Sequence, residues 1–334
     1  MIIDRRTALF GTLAAGVSAC ASARGQTPPP ATAASPHLTF PEPNEMVDLW
    51  PNGAPGAPEQ PPVETVRERS TNPAFNDRYV LGISRPRMAV FRPARPNGAA
   101  VLITPGGGYS WVVIDKEGYE MARLLAAQGV TAFVLFYRLP HEGWAAGPNV
   151  SLSDAQRAMR LIRHRAAAYG LDPRRICAMG FSAGGHLCAD LLTRFDAGVY
   201  TPVDAADRLS ARPDAAAPIY PVVSMTLPTA HAGSRRNLIG ENAPADRERA
   251  HAPHNNARPD SPPTFLLHAE DDRSVVVANT LLLRAALREQ GVETETHLFP
   301  DGGHGFGLRL ARGKSVDNWP GLFTAWAKRK GLWS

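Results

Sequence analysis

Gly180-Phe181-Ser182-Ala183-Gly184 reads G-x-S-x-G, with the run Arg175-Ile176-Cys177-Ala178-Met179 before it and a helix-compatible run, residues 185–194, after it. Strand, sharp turn and helix in that order force the central serine into strained backbone geometry and lift its hydroxyl out of the sheet. Glycines flank it because side chains there would collide with the neighbouring strand or helix. The plain alternative is a tight turn without chemistry. The chemical reading needs three partners: a base to take the proton, an acid to orient that base, and backbone N–H groups for the developing oxyanion.

His304 is the candidate base. It lies in Gly302-Gly303-His304-Gly305-Phe306, after the last predicted strand, 294–299, and its glycines let the loop fold over the sheet edge. Asp272 is the candidate acid, in the loop Ala269-Glu270-Asp271-Asp272-Arg273 that follows a predicted strand at 264–268. The register H-A-x-x-D-x-x-V from His268 to Val275 favours Asp272; Asp271 stands as the alternative, and at least one of these acids is expected to cap the next helix. Upstream, Pro105-Gly106-Gly107-Gly108-Tyr109 offers unhindered N–H groups. Gly107 and Gly108 are the candidate oxyanion donors, with the Ala183 N–H as their partner. A phosphate cradle is excluded, since neither the G-x-x-x-x-G-K-[ST] lysine nor a dinucleotide spacing is present.

Other histidines read differently. His186 is four residues past Ser182 on the same helix, a place for a packed, hydrogen-bonded ring. His251-Ala252-Pro253-His254 has near metal-ligand spacing, but Pro253 spoils a helical pairing. No metal and no cofactor is expected.

The elements that must position these residues alternate. Strands are predicted at 88–91 and 99–104, joined by a turn at Pro96-Asn97-Gly98, and then at 130–137, 215–223, 264–268 and 294–299. Helices are predicted at 115–128, 153–169 (capped by Ser151 or Ser153 and stopped by Gly170), 275–290 and 317–330. The pattern implies an α/β fold with a mostly parallel central sheet and helices on both faces, binding its ligand at the carboxyl ends of the strands. Residues 224–263 break the rhythm; they read either as an excursion at the site's rim or as a surface loop without a role.

Of 334 residues, 44% are hydrophobic and 20% charged, enough for one large α/β domain with tails. The net charge of +5 is mild and its arginines are scattered, which excludes a nucleic-acid interface. Residues 1–24 place Arg5-Arg6 ahead of a short apolar run and read as a twin-arginine export signal. Val17-Ser18-Ala19-Cys20 resembles a lipobox, which would make Cys20 a lipid anchor and the membrane a partner through it alone. Cleavage after Ala21-Ser22-Ala23 is the rival, so the protein is expected to be exported, periplasmic or lipid-anchored at the outer membrane. Residues 25–62 are rich in proline and alanine and read as a linker and surface arm, leaving 63–334 as the catalytic domain. Cys177 and Cys188 read as small buried apolar residues.

Several segments resemble the α/β-hydrolase superfamily and, within it, bacterial acetylxylan esterase-like and other carbohydrate esterase proteins. They are Leu49-Trp50-Pro51-Asn52-Gly53-Ala54-Pro55-Gly56, Pro105 to Tyr109, Asp115-Lys116-Glu117-Gly118-Tyr119, Tyr137-Arg138-Leu139-Pro140, Asp154-Ala155-Gln156-Arg157-Ala158, Gly180 to His186, and Gly303-His304-Gly305-Phe306-Gly307-Leu308. Residues 233–240 are also similar to that group and are expected to shape the site. The resemblance implies an α/β-hydrolase fold, the chain order serine, acid, histidine, and removal of acetyl groups from acetylated oligo- or polysaccharides such as xylan. Rival readings are a serine peptidase, which usually carries a large extra domain; a long-chain lipase, which wants an apolar lid where residues 224–263 are polar; and a binding protein, which usually lacks a triad member.

Overall fold

The computed structural model describes residues 42–333; the export-signal and lipobox readings of residues 1–24 lie outside them. In chain order the strands are β1 (Glu45–Asp48), β2 (Thr65–Glu68), β3 (Arg78–Leu81), β4 (Arg87–Phe91), β5 (Ala100–Thr104), β6 (Val112–Val113), β7 (Thr131–Phe136), β8 (Ile176–Phe181), β9 (Ala215–Ile219), β10 (Thr264–Ala269) and β11 (Thr294–Phe299). An eight-stranded sheet has the order β1-β4-β7-β5-β8-β9-β10-β11. Its pairs are parallel from β7 to β11 and antiparallel for β1–β4 and β4–β7. Strands β5, β7, β8, β9 and β10 are buried at every residue. Successive side chains point to opposite faces, so both faces are covered, and the continuous apolar runs follow from that. At the edge, β11 carries Glu295 and His297 and stays half-exposed, as edge strands do.

The helices are α1 (Glu120–Ala127), α2 (Val150–His164), α3 (Ala166–Tyr169), α4 (Ser182–Arg194), α5 (Ala232–Ile239), α6 (Ala245–Ala250), α7 (Ala278–Glu289) and α8 (Trp319–Arg329). This is the α/β-hydrolase arrangement. Among the described residues no helix is long and apolar enough to cross a membrane.

The structure corrects four expectations. First, the segment read as a surface arm before residue 63 belongs to the fold: β1 pairs with β4, Leu49 and Trp50 are buried, and the Trp50 indole N–H donates to Asp154 at 2.8 Å. Asp154 also holds the fully buried Arg138 guanidinium at 2.7 Å, while Arg138 Nη1 donates to the Pro55 carbonyl. One buried ion pair thus joins the arm, the end of β7 and α2, and its guanidinium nitrogens all meet acceptors, the Asp154 carboxylate, the Pro55 carbonyl and Ser153 Oγ. Second, β4 and β5 are not neighbours across the turn at 96–98; β7 lies between them. Third, α2 starts at Val150, so Ser151 and Ser153 sit inside its first turn and donate to the Arg138 and Val150 carbonyls instead of capping it. Fourth, β9 stops at Ile219; Asn279 Oδ1 accepts the Val223 and Ser224 N–H groups of the loop beyond it.

A three-stranded antiparallel sheet, β2-β3-β6, lies outside the predicted elements; β2 is largely exposed, β3 is half-buried around Val80, and β6 is two buried valines.

Candidate active site

Central strand β8 runs into α4 at Ser182, whose φ of 55° is left-handed. Two glycines permit this turn. A Cβ on Gly180 would stand 2.1 Å from the Gly184 carbonyl oxygen, and one on Gly184 would stand 2.1 Å from the Thr104 oxygen. Thr104 Oγ1 closes the contact by donating to the Gly184 carbonyl at 2.8 Å. The strain at the serine is held by backbone packed too closely for any side chain.

His304 reaches this serine from the loop after β11. Ser182 Oγ is 2.8 Å from His304 Nε2, and His304 Nδ1 is 2.6 Å from Asp272 Oδ2. Asp272 is buried, and its Oδ1 accepts the Ser274 and Val275 N–H groups, both at 2.9 Å. Burial alone would push its pKa up. The hydrogen bonds from His268 and His304, the charge of His304 and the Val275 N–H outweigh that and hold it well below the usual carboxylate range. Asp271 does a different job: its Oδ1 accepts the Gly303 N–H at 2.7 Å and so pins the histidine loop. Both acids of the pair are used, and only Asp272 meets the imidazole.

In the glycine loop, Gly106 donates to Glu117 Oε2 at 3.0 Å, while Gly107 (φ 133°) and Gly108 (φ 65°) line the cleft beside Ser182 and His304. A Cβ on Gly107 would lie 2.1 Å from the Trp111 carbonyl oxygen. Ala183 stands in the first turn of α4, where backbone N–H groups have no acceptor within the helix. The cleft, about 330 Å³, is also lined by Trp111, Lys116 and His231. The arrangement can draw the proton from Ser182 through His304 and meet an oxyanion with N–H groups.

His186 is buried; its Nε2 faces the His251 carbonyl at 2.8 Å, so that nitrogen carries the proton and Nδ1 accepts from the Tyr109 hydroxyl at 2.7 Å. Burial lowers its pKa and keeps the ring neutral. It anchors the glycine loop from behind. His251 and His254 each leave a buried Nδ1 without a partner, and no group of three or more metal-ligand side chains occurs among the described residues. Residues 224–263 turn out to be part of the rim: His231 lines the cleft, and Asn237 of α5 donates to the Gly108 carbonyl at 2.9 Å and to Ser110 Oγ at 2.6 Å.

The BD-FAE family pattern matches residues 88–287, most of the described sheet. The chain belongs to the BD-FAE family. It is 32% identical over 238 residues to an acetylxylan esterase of Xylanibacter ruminicola, covering 69% of this chain and 46% of that protein. It is 35% identical over 222 residues to endo-1,4-beta-xylanase B of Butyrivibrio fibrisolvens, covering 66% of this chain and 34% of that one. The chain therefore spans half or less of the length of these two relatives. Among solved structures, the acetyl ester-xyloside bifunctional hydrolase of Caldicellulosiruptor lactoaceticus superposes with a TM-score of 0.71 at 33% identity, over 88% of this chain and 98% of that one. Thermogutta terrifontis esterase 2, at 22% identity, TM-score 0.61 and coverage of 84% of this chain and 97% of that one, shares the fold.

In this BD-FAE chain two further residues bind the site together. Glu117 is buried; besides taking the Gly106 N–H it accepts the Tyr220 hydroxyl on Oε1 at 3.1 Å. Tyr220 Oη in turn accepts the Gly307 N–H at 3.1 Å, and its ring lies 5.4 Å from that of His304. Burial, and then Glu117, push the Tyr220 pKa well up, so the hydroxyl remains a donor. One carboxylate thereby links the glycine loop to the histidine loop. In sequence Glu117 stands only within Asp115-Lys116-Glu117-Gly118-Tyr119, where a charged run at a helix start gives no sign of its burial. Glu117→Ala leaves the Gly106 N–H and Tyr220 hydroxyl buried without acceptors, an expected cost of about 1–3 kcal/mol. Denaturant unfolding measures it, and hydrolysis of 4-nitrophenyl acetate should fall as well. Native stability in that variant would remove Glu117 from this role.

Proposed function

We propose that this chain is a serine carboxylic ester hydrolase that removes short acyl groups, acetyl first among them, from acetylated carbohydrates such as xylan. The observation that carries the proposal is the continuous relay Ser182 Oγ, His304 Nε2, His304 Nδ1, Asp272 Oδ2 beside a glycine loop. In the proposed cycle His304 takes the serine proton as Oγ attacks the acyl carbonyl. The oxyanion meets the Gly107, Gly108 and Ala183 N–H groups, and Asp272 stabilises the imidazolium. His304 then protonates the departing sugar oxygen as the carbon–oxygen bond breaks. Water, activated the same way, releases the acid and restores Ser182.

The relatives' names support the acetyl-sugar half of the reading, and the export reading of residues 1–24 fits a polymer met outside the cytoplasm. The proposal does not extend to glycosidic bonds. Retaining hydrolysis uses two carboxylates about 5–5.5 Å apart, whereas Glu117 is the one carboxylate among the described residues that line the cleft, and both its oxygens are engaged.

Acetate release from acetylated xylo-oligosaccharides tests the substrate. A series of 4-nitrophenyl esters tests the acyl group: kcat/KM is expected to peak at acetate and fall as the chain lengthens. Faster hydrolysis of octanoate than of acetate would replace this reading with a lipase.

A further inference from the structure

The cleft's lining carries two basic side chains, Lys116 and Arg69, against one carboxylate, Glu117. Lys116 borders it between the glycine loop and the histidine loop: a Cβ on Gly305 would lie 3.3 Å from Lys116 Nζ. Among the described residues no carboxylate forms an ion pair with Lys116; Glu117 Oε1 lies 3.5 Å from the same Cβ position, but its two oxygens are turned to the Gly106 N–H and the Tyr220 hydroxyl. Arg69 lines the same cleft from the end of β2, with its guanidinium 5.8 Å from the Tyr79 ring centroid. Its partner Asp77, at 2.9 Å, is shared with Arg309, also at 2.9 Å. Tyr79 stands 4.8 Å from Trp111, so the small sheet presents an aromatic pair with a cation at its edge.

Position says which half of an ester these cations face. In the proposed cycle His304 hands its proton to the departing alcohol, so the alcohol lies on the histidine side of Ser182. Lys116, beside Gly305, is on that side; the acyl oxygen is on the side of Gly107 and Gly108. We propose that the cleft selects esters whose alcohol half is a carboxylate-bearing sugar, an acetylated uronic acid or a neutral sugar next to one. Lys116 meets the carboxylate, Arg69 supports it, and Trp111 provides a face for the ring. This rests on the ester-hydrolase reading above and narrows its substrate.

The test compares acetylated xylo-oligosaccharides bearing a uronic acid with the same oligosaccharides whose carboxyl group is methyl-esterified, reading acetate release. The free acid is expected to be preferred in kcat/KM by about five-fold, near the upper end for a part-exposed ion pair. The preference should shrink as ionic strength rises. Lys116→Met brings the ratio close to one and Lys116→Arg preserves it; because the ratio is internal to each variant, a general loss of activity does not move it. Equal rates on both substrates in the native enzyme overturn the proposal, as does a ratio that survives in the Lys116→Met, Arg69→Met double variant. Acetate from neither oligosaccharide, with 4-nitrophenyl acetate still hydrolysed, overturns the carbohydrate reading and this proposal with it.

Discussion

Ser182→Ala is expected to lower kcat on 4-nitrophenyl acetate by about 10⁶-fold, the loss seen when the nucleophile of such a relay is removed. The change deletes one oxygen and leaves its surroundings. His304 keeps its 2.6 Å bond to Asp272, and the glycine loop keeps its support from Glu117 and Asn237. Alanine is no better suited than serine to the 55° φ at this position, so backbone strain does not confound the comparison. Some acceleration over water should survive from the N–H groups alone, roughly 10³-fold. KM is expected to change little, because the acyl group binds the same walls. Turnover of Ser182→Ala near the native rate would remove Ser182 from the mechanism, and an unchanged melting temperature in the inactive variant would show that folding is not the cause.

The serine, the histidine and the aspartate were legible because each sits in a short stretch whose residue types have a backbone reason. Gly180 and Gly184 are demanded by carbonyl oxygens 2.1 Å from where a Cβ would be, and Gly303 and Gly305 take positive φ around His304. Local reasons can be read locally. Glu117 and Tyr220 escaped because their bond spans 103 residues, and in sequence they pass for an ordinary helix start and strand end. Strand order is likewise non-local: nothing between β4 and β5 reveals that β7, 40 residues later, inserts between them. The strands of the β2-β3-β6 sheet are two to four residues long, too short to show a hydrophobic period, although β6 is a buried Val112-Val113 pair. The β1 strand is four residues before a stretch rich in proline and glycine, which masked it as an arm. The choice between Asp271 and Asp272 rested on register, and the structure explains why a choice was needed: the two carboxylates serve one loop, Asp271 through the Gly303 N–H and Asp272 through the imidazole.

That division makes Asp272→Asn the second large expected effect, a loss in kcat of about 10⁴-fold. Oδ1 of Asp272 already accepts the Ser274 and Val275 N–H groups, so an asparagine keeps its carbonyl oxygen there and turns its amide nitrogen toward His304 Nδ1. The amide can only donate. Nδ1 must then accept, the ring proton moves to Nε2, and Nε2 faces Ser182 Oγ with a hydrogen where a lone pair is needed. The same amide nitrogen also faces His268 Nε2, which sits 3.2 Å from Oδ2 and donates as well. The variant should also lose a pH-dependent share of stability. The folded pKa of Asp272 lies well below its unfolded value near 4, so its contribution is fully present above that pH and is lost only gradually below it, as the pH falls toward the folded pKa. Native and Asp272→Asn proteins should therefore differ by a constant amount in denaturant midpoint above about pH 4, and the difference should only begin to narrow below it. Asp271→Asn is the contrast: its amide oxygen can still accept the Gly303 N–H, so kcat should fall by no more than about ten-fold, the loss of charge assistance to a single hydrogen bond that is itself kept. The ranking of the two asparagine variants decides the matter. A greater loss for Asp271→Asn would move the orienting acid one position upstream, against a geometry in which only Asp272 touches the ring.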